Sequence, residues 1–163
     1  MSIRKASTTD APAICGIYNH YIANTAITFE TEPLTIEQME TRIADISAYF
    51  PYLVYEMDGL VVGYCYANTW KSRCAYLHTL ETTIYIHPDY VGRGIGRKLM
   101  HSLLEGLNDI PAHALIAGIS LPNEASVKLH ESVGFEKVAH FKQVGWKFDR
   151  WIDVGNWELI LNN

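Results

Sequence analysis

The sequence has few cysteines and few basic residues, and each shortage excludes classes of protein. Its three cysteines, Cys15, Cys65 and Cys74, are an odd number without metal-ligand spacing, so neither a disulfide scaffold nor a zinc site is expected. Thirteen Lys and Arg stand against eighteen Asp and Glu, and the formal net charge of −5 argues against general binding to nucleic acid or to anionic membranes. We therefore expect a metal-free cytoplasmic protein whose reduced thiols fill the core.

Long apolar runs are also lacking. No stretch approaches the ~20 residues of a membrane-spanning helix, and residues 1–5 lack the apolar core of a signal peptide. What is present is an ordinary globular composition, since 48% of the 163 residues are hydrophobic and 19% are charged. No internal repeat, low-complexity segment or linker interrupts the chain. We predict a single domain over residues 1–163.

The most informative stretch, residues 84–99, runs from a strand into a glycine-rich loop and then into a helix. Gly92, Gly94 and Gly96 let the backbone bend so that several N–H groups point into one concavity. The helix that begins there adds its free N–H groups and the positive end of its dipole, a combination that suits phosphate. The cations nearby are Arg93, Arg97 and Lys98.

Two well-known phosphate motifs do not fit this loop. A P-loop needs Lys followed by Ser or Thr after its last glycine, but Gly96 is followed by Arg97 and Lys98. The dinucleotide fingerprint needs G-x-G-x-x-G, and here the third glycine comes one residue early. A glycine-rich turn without a ligand remains the alternative at this level.

The order of predicted elements indicates an α/β fold with a mixed, mostly antiparallel central sheet flanked by helices. Asp58-Gly59 between two strand-like runs predicts a hairpin, and Thr35 with Gln38 predicts a capping box. Asn123 should cap a helix whose inward stripe is Ala125, Leu129 and Val133. The predicted strands are 3–6, 52–57, 60–67, 77–86, 113–119, 137–144 and 151–161, with an aromatic turn over 145–150, and the predicted helices are 10–21, 35–49, one after Gly96 and one after Asn123.

Several motifs together resemble the GNAT N-acetyltransferases. They are the loop from Gly92 to Gly96, Asn123-x-x-Ser126, and the run from His130 to Phe135, and the resemblance covers nearly the whole chain. Within that superfamily, residues 17–19, 79–88 and Trp151-x-Asp153-Val154 resemble the phosphinothricin and methionine sulfoximine/sulfone acetyltransferases. The resemblance implies the acyl-CoA N-acyltransferase fold, acetyl-CoA as co-substrate, the α-amine of a small amino-acid-like acceptor, and a homodimer.

The resemblance also implies which residues contact the cofactor. The pantetheine arm would lie beside the strand before the loop and use its backbone, and the pyrophosphate would bind the loop N–H groups. Val91 departs from the family pattern, which usually has Gln or Arg there. The implied cofactor residues are Ile84, Tyr85, Ile86, Gly92, Arg93, Gly94, Ile95, Gly96, Arg97, Asn123 and Ser126.

Catalysis requires a base, because an amine with a pKa of about 10 is mostly protonated at neutral pH. Glu81 is the candidate, directly or through water, since apolar neighbours on its strand should raise its pKa. Strand alternation places Glu81, Thr83 and Tyr85 on one face. His130 stands where many relatives have a tyrosine that protonates the leaving thiolate, and the resemblance implies that role. The alternative for Glu81 is an exposed strand carboxylate without a role, and the alternative for His130 is a position on a solvated helix face.

The acceptor side is predicted from the resemblance and from charge. A loop cation would pair with the acceptor's carboxylate. Phe29, Tyr90 and the aromatic turn would form walls of the acceptor pocket, and the alternatives for them are core packing or a dimer contact. The alternatives are another amine, such as a polyamine, an aminoglycoside or a protein N-terminus, and a CoA-binding sensor without catalysis. The implied acceptor-binding residues are Lys71, Ser72, Arg73, Glu81, Thr82 and Thr83.

Overall fold

The computed structural model of the protein describes residues 1–161, and its centre is a seven-stranded sheet. The strands are β1 Ser2–Lys5, β2 Tyr52–Met57, β3 Leu60–Thr69, β4 Thr79–Ile86, β5 Ala114–Leu121, β6 Glu136–Lys147 and β7 Arg150–Ile160. They lie in the order β1-β2-β3-β4-β5-β7-β6, and within the described chain only β4 and β5 run parallel. The predicted mixed, mostly antiparallel sheet is confirmed.

Within residues 1–161, four helices cover the two faces of this sheet. They are α1 Ala11–Asn24, α2 Ile36–Ser47, α3 Ile95–Gly106 and α4 Glu124–Ser132, with short 3-10 turns at Thr8–Asp10, Cys74–Tyr76 and Pro88–Tyr90. One core joins α1 and α2 to the sheet through residues such as Ile14, Met39 and Tyr64. The other core joins α3 and the α4 region to it through residues such as Leu99 and Phe135. Burial of these two apolar faces stabilises the layered arrangement.

The predicted helix cap and hairpin are confirmed, but one of the three cysteines does not lie in the core as predicted. Thr35 Oγ1 accepts from Gln38 N–H at 3.2 Å, and Gln38 Oε1 accepts from Thr35 N–H at 2.9 Å, so α2 begins with a capping box. Asp58 and Gly59 have φ values of 52° and 80° and join β2 to β3 as a tight hairpin. Cys15 and Cys65 are buried, whereas Cys74 is exposed and does not fill the core.

Two further predictions were wrong in part. The aromatic segment 145–150 is mostly strand, because Phe148 and Asp149 alone form the turn with φ values of 52° and 55°, which matches the twist of the flanking strands. Of the predicted stripe on α4, Leu129 and Val133 pack against the core, but Ala125 is exposed, and His130 is buried at 3% exposure. His130 packs edge-on against Phe135 with ring centroids 5.2 Å apart, so the side of α4 that bears it faces the core.

The parallel pair opens partway along its length. β4 and β5 pair at residues 79–81 with 114–116 and then separate, while β5 continues to pair with β7 as far as Leu121. The separation leaves one edge of residues 82–86 without a neighbouring strand. This gap is the origin of the candidate site.

Among the described residues, no helix is both long and apolar enough to cross a membrane. Residues 1–161 also contain no cluster of three or more potential metal ligands.

Candidate active site

The gap between β4 and β5 forms one continuous cleft with two parts. The part we call the loop cavity, about 510 Å³, lies against β4, the glycine loop and the starts of α3 and α4. The part we call the inner cavity, about 300 Å³, lies between β4, β5 and the segment Ile27–Phe29. The two parts share the wall residues Ile27, Ile84, Tyr85, Asn123 and Ser126. A ligand can therefore extend from the glycine loop to the inner cavity.

The glycine loop presents backbone rather than side chains to the loop cavity. Gly92 and Gly94 have φ values of 77° and 75°, where other residues are strained. Gly94 is the N-cap of α3 and makes no side-chain cap, so the N–H groups of the first turn are left for a ligand. A Cβ on Gly96 would lie 3.0 Å from Leu129, so this glycine allows α3 to pack closely on α4.

The nearby cations divide between the cavity and the surface. Arg97 lines the loop cavity. Arg93 does not, because its guanidinium donates to the Asp89 carbonyl at 3.1 Å and stacks over the Tyr90 ring at 4.8 Å. In this structure the side chain of Arg93 therefore lies outside the loop cavity, and its predicted contact with the cofactor stays a prediction.

The free edge of β4 offers backbone groups at alternate residues. The His87 N–H donates to the Val62 carbonyl at 2.8 Å, so the antiparallel pattern directs the N–H and C=O of Tyr85 towards β3 and those of Ile84 and Ile86 into the cleft. The Tyr21 hydroxyl already donates to the Ile86 carbonyl at 2.6 Å. The backbone groups left for the predicted contact with the pantetheine arm are therefore those of Ile84 and the N–H of Ile86. Tyr85 is a wall residue of the cleft.

Glu81 lies in the inner cavity, together with Thr82 and Thr83. Glu81 is exposed to the cavity, but the protein packed around its carboxylate partly desolvates it and raises the pKa of Glu81 above its ordinary value. A Cβ on Gly118 would lie 3.8 Å from Glu81 Oε1 and 3.6 Å from Asn156 Oδ1. Because Gly118 has no side chain, an open space remains between the carboxylate and the Asn156 amide.

His130 lines the same cavity as a neutral imidazole. Its Nδ1 lies 2.8 Å from the Ser126 carbonyl, which can only accept, so Nδ1 carries the proton and Nε2 is an acceptor. Burial lowers the pKa of His130, which favours this neutral form. The predicted donor role does not suit this tautomer, and the arrangement suits an acceptor.

Asn123 and Ser126 stand where the two cavities join. The Asn123 side-chain oxygen accepts from the Ser126 N–H at 3.2 Å and caps α4, as predicted. This contact leaves the Asn123 amide N–H groups for a ligand in the cleft. The cap and a binding role are therefore compatible.

The predicted loop cations lie apart from Glu81 within the chain. Lys71, Ser72 and Arg73 line a separate depression with Tyr76. The Lys71 ammonium stacks over the Trp70 ring at 4.1 Å. Because these residues are absent from the walls of the inner cavity, their predicted acceptor contact is not supported within the described chain.

Some residues of the cleft have no signal in the local sequence. Tyr21 reaches β4 from α1, and Gly118 of β5 lies between the side chains of Glu81 and of Asn156 in β7. Thr28 comes from the loop between α1 and α2, where the sequence indicated only the neighbouring Phe29 as a wall residue. Each of these residues reaches the site through a contact between elements distant in the chain, which a motif search cannot find.

A helix N-terminus that is free to bind phosphate, an open strand edge and a carboxylate of raised pKa follow one another along this cleft. This combination is typical of a transferase that binds a long phosphate-bearing donor along a strand edge. The family model described as acetyltransferase (GNAT) domain matches residues 3–155. The chain belongs to the GNAT acetyltransferase family, and the predicted resemblance is confirmed.

Similar proteins match over almost the whole length of this chain. The L-amino acid N-acyltransferase MnaT of Escherichia coli is 40% identical, with 99% of this chain and 95% of that protein aligned. A phosphinothricin N-acetyltransferase of Alcaligenes faecalis is 40% identical, with 99% of this chain and 83% of that protein aligned. The L-methionine sulfoximine/L-methionine sulfone acetyltransferase of Salmonella typhimurium is 37% identical, with coverage of 99% and 95%.

A solved structure agrees with these sequences. A Salmonella typhimurium acetyltransferase, determined with its cofactor acetyl-CoA, superimposes with a TM-score of 0.97 at 35% identity, covering 100% of this chain and 95% of that one. At this similarity the fold and the family are shared, so the cleft can be interpreted as that of an acetyltransferase.

Proposed function

We propose that the protein transfers the acetyl group of acetyl-CoA to the α-amine of a small amino-acid-like acceptor, in the cytoplasm. The observation that carries this proposal is the position of Glu81, whose pKa is raised, at the inner end of a cleft that begins at the glycine loop. The names of the relatives support it, since they act on L-amino acids, phosphinothricin or methionine sulfone.

The residues present fit acetyl-CoA. The first-turn N–H groups of α3 and the Arg97 side chain would hold the pyrophosphate, because Gly92 and Gly94 keep Cβ atoms out of the loop cavity. Ile84 and the Ile86 N–H would hold the pantetheine arm as an added strand. When bound, the cofactor supplies the acetyl thioester.

Glu81 would accept the proton of the acceptor's ammonium group, directly or through a water in the space beside Gly118. A carboxylate with a raised pKa is a better base for this purpose than an ordinary one. The Asn156 amide borders the same space and would orient that water. In direct transfer the amine nitrogen would displace CoA from the acetyl carbonyl, so that the C–N bond forms, the C–S bond breaks and CoA leaves as the thiolate. No covalent enzyme intermediate is needed.

His130 would act as an acceptor within the inner cavity. Its Nε2 lone pair is free because Nδ1 donates to the Ser126 carbonyl. A hydrogen bond from the acceptor or from a bound water to Nε2 would orient that group beside Glu81. Thr82 and Thr83 lie next to Glu81 and complete the acceptor side.

The size of the inner cavity favours a small acceptor. About 300 Å³ accommodates an amino acid with a short side chain, whereas an aminoglycoside or the end of a protein would have to remain largely outside. The sensor alternative gives no reason for a carboxylate of raised pKa at the end of the cleft. An amine of another class remains the second candidate.

A panel of amines tests the proposal. Thiol release from acetyl-CoA should be fastest with methionine sulfone, methionine sulfoximine or phosphinothricin, and slow with spermidine, an aminoglycoside or a peptide N-terminus. N-acetyl-methionine sulfone identified by mass spectrometry would establish the acetylated atom. Binding of acetyl-CoA without turnover on any amine would overturn the enzymatic proposal in favour of a sensor, and preference for spermidine would overturn the acceptor class.

We also propose a homodimer formed through the β6–β7 hairpin. Trp146, Phe148 and Trp151 are 54%, 52% and 59% exposed, which is a large aromatic surface for a monomer. Light scattering should give twice the mass of the chain, and Trp151→Glu should shift the protein towards the monomer. Tyr49→Glu is the matched control, since Tyr49 is 77% exposed on another part of the surface. A monomeric parent protein would contradict the proposal.

A further inference from the structure

The segment Ile27–Phe29 forms one wall of the inner cavity and is held by the end of β6. Lys147 is 5% exposed, and its ammonium donates to the Thr28 carbonyl at 2.9 Å. Within residues 1–161, no carboxylate lies at ion-pair distance from it. A buried ammonium without a counter-ion is costly, so this contact is an unusual way to hold a loop.

A second contact lies two residues away on the same face of β6. A Cβ on Gly145 would lie 2.3 Å from Phe29 Cζ and 2.5 Å from Cε2, so the aromatic ring rests directly on the strand backbone. Gly145 and Lys147 are buried while Trp146 between them is exposed, which is the alternation of a strand. One face of β6 therefore holds both Phe29 and Thr28.

The opposite side of the segment is held by α1. The Thr28 hydroxyl lies 2.8 Å from the Tyr18 hydroxyl, and both side chains are buried. Thr28 is thus fixed between α1 and β6, and its position determines how far the segment stands from β4 across the inner cavity.

We propose that Gly145 and Lys147 are positioning residues that set the width of the acceptor end of the cleft and so select small acceptors. This inference rests on the proposed function, because it concerns the acceptor of the same reaction. Neither residue lines the inner cavity, so both act through Thr28 and Phe29. The loop cavity is lined by Ile27 alone from this segment, so cofactor binding should be nearly independent of the two residues.

Two variants separate this role from general stability. Gly145→Ala displaces the Phe29 ring, which is 43% exposed and can move into solvent without loss of a core contact. Lys147→Met removes the hydrogen bond and the buried charge together, so the chain is expected to fold. In both, the KM for methionine sulfone should rise about tenfold while the KM for acetyl-CoA changes less than twofold, and the rate ratio of a bulky to a small amino acid should increase. Lys147→Arg keeps a cation that can donate to the Thr28 carbonyl, so its KM for methionine sulfone should stay close to that of the parent protein.

A double-mutant cycle provides the decisive control. In a Phe29→Ala background, Gly145→Ala should have no further effect on the acceptor KM, because the ring that it displaces is gone. Gly16→Ala, where a Cβ meets nothing within 4 Å, should leave all constants unchanged. Equal effects of Gly145→Ala in both backgrounds, or an unchanged acceptor KM, would overturn the inference. If the parent protein acetylates no amine, the proposed function itself fails, and the two failures are distinct.

Discussion

Glu81→Gln is expected to lower kcat by about 10²- to 10⁴-fold, the usual contribution of a general base. The amide has the shape of the carboxylate but cannot accept the ammonium proton. Because Glu81 lies outside the loop cavity, the affinity for acetyl-CoA should remain within about twofold of the parent protein, on the expectation that distant sites act independently. Thiol release with saturating methionine sulfone measures the effect.

The pH profile gives a second test of the same residue. The base must be deprotonated, so kcat/KM should rise with pH through the pKa of Glu81, which burial places above the ordinary carboxylate value. That acidic limb should disappear in Glu81→Gln. Full activity in the variant would exclude Glu81 as the base.

The fold should survive this substitution. A pKa raised in the folded state means that the native protein binds the proton more tightly than the unfolded chain, so the ionised carboxylate costs stability above that pKa. Glu81→Gln should therefore melt at or slightly above the parent temperature at neutral pH. Glu136→Gln, at the exposed start of β6, is the matched control for loss of a strand carboxylate and should retain full activity.

The second large effect is expected for Gly94→Glu, which should weaken acetyl-CoA binding at least tenfold. Gly94 has a φ of 75° at the N-cap of α3, so any side chain is strained there and stands beside the free N–H groups. A carboxylate at that position would also repel the pyrophosphate. Calorimetry or competition with a fluorescent CoA measures the dissociation constant.

Gly59→Glu is a closely matched control for this variant. Gly59 has a φ of 80°, and a Cβ there meets nothing within 4 Å, so the substitution adds the same strain and the same charge in the β2–β3 hairpin. It should reduce thermal stability but leave acetyl-CoA affinity unchanged. Equal affinity of the Gly94 and Gly59 variants would refute the phosphate role of the loop.

The sequence alone determined the features that depend on neighbouring residues. The Thr35–Gln38 capping box, the Asp58-Gly59 hairpin and the glycine loop before α3 follow from local backbone preferences and were predicted correctly. Family motifs extended this to the fold, because the resemblance covers nearly the whole chain. Glu81 could be chosen as the candidate general base because it lies on the strand that leads into the glycine loop.

The tertiary structure alone decided how these pieces form a cleft. The separation of β4 from β5 leaves one edge of β4 open. The register of β4 with β3 then decides that Ile84 and Ile86, rather than Tyr85, have backbone groups directed to that edge. The hydrogen bond to the Ser126 carbonyl sets the tautomer of His130, and packing against Phe135 buries its ring. The placement of Lys71–Arg73 in a separate depression removes them from the inner cavity. Lys147 and Thr28 meet across 119 positions of the chain. Such contacts depend on packing between distant elements, whose energies no local pattern of residues encodes.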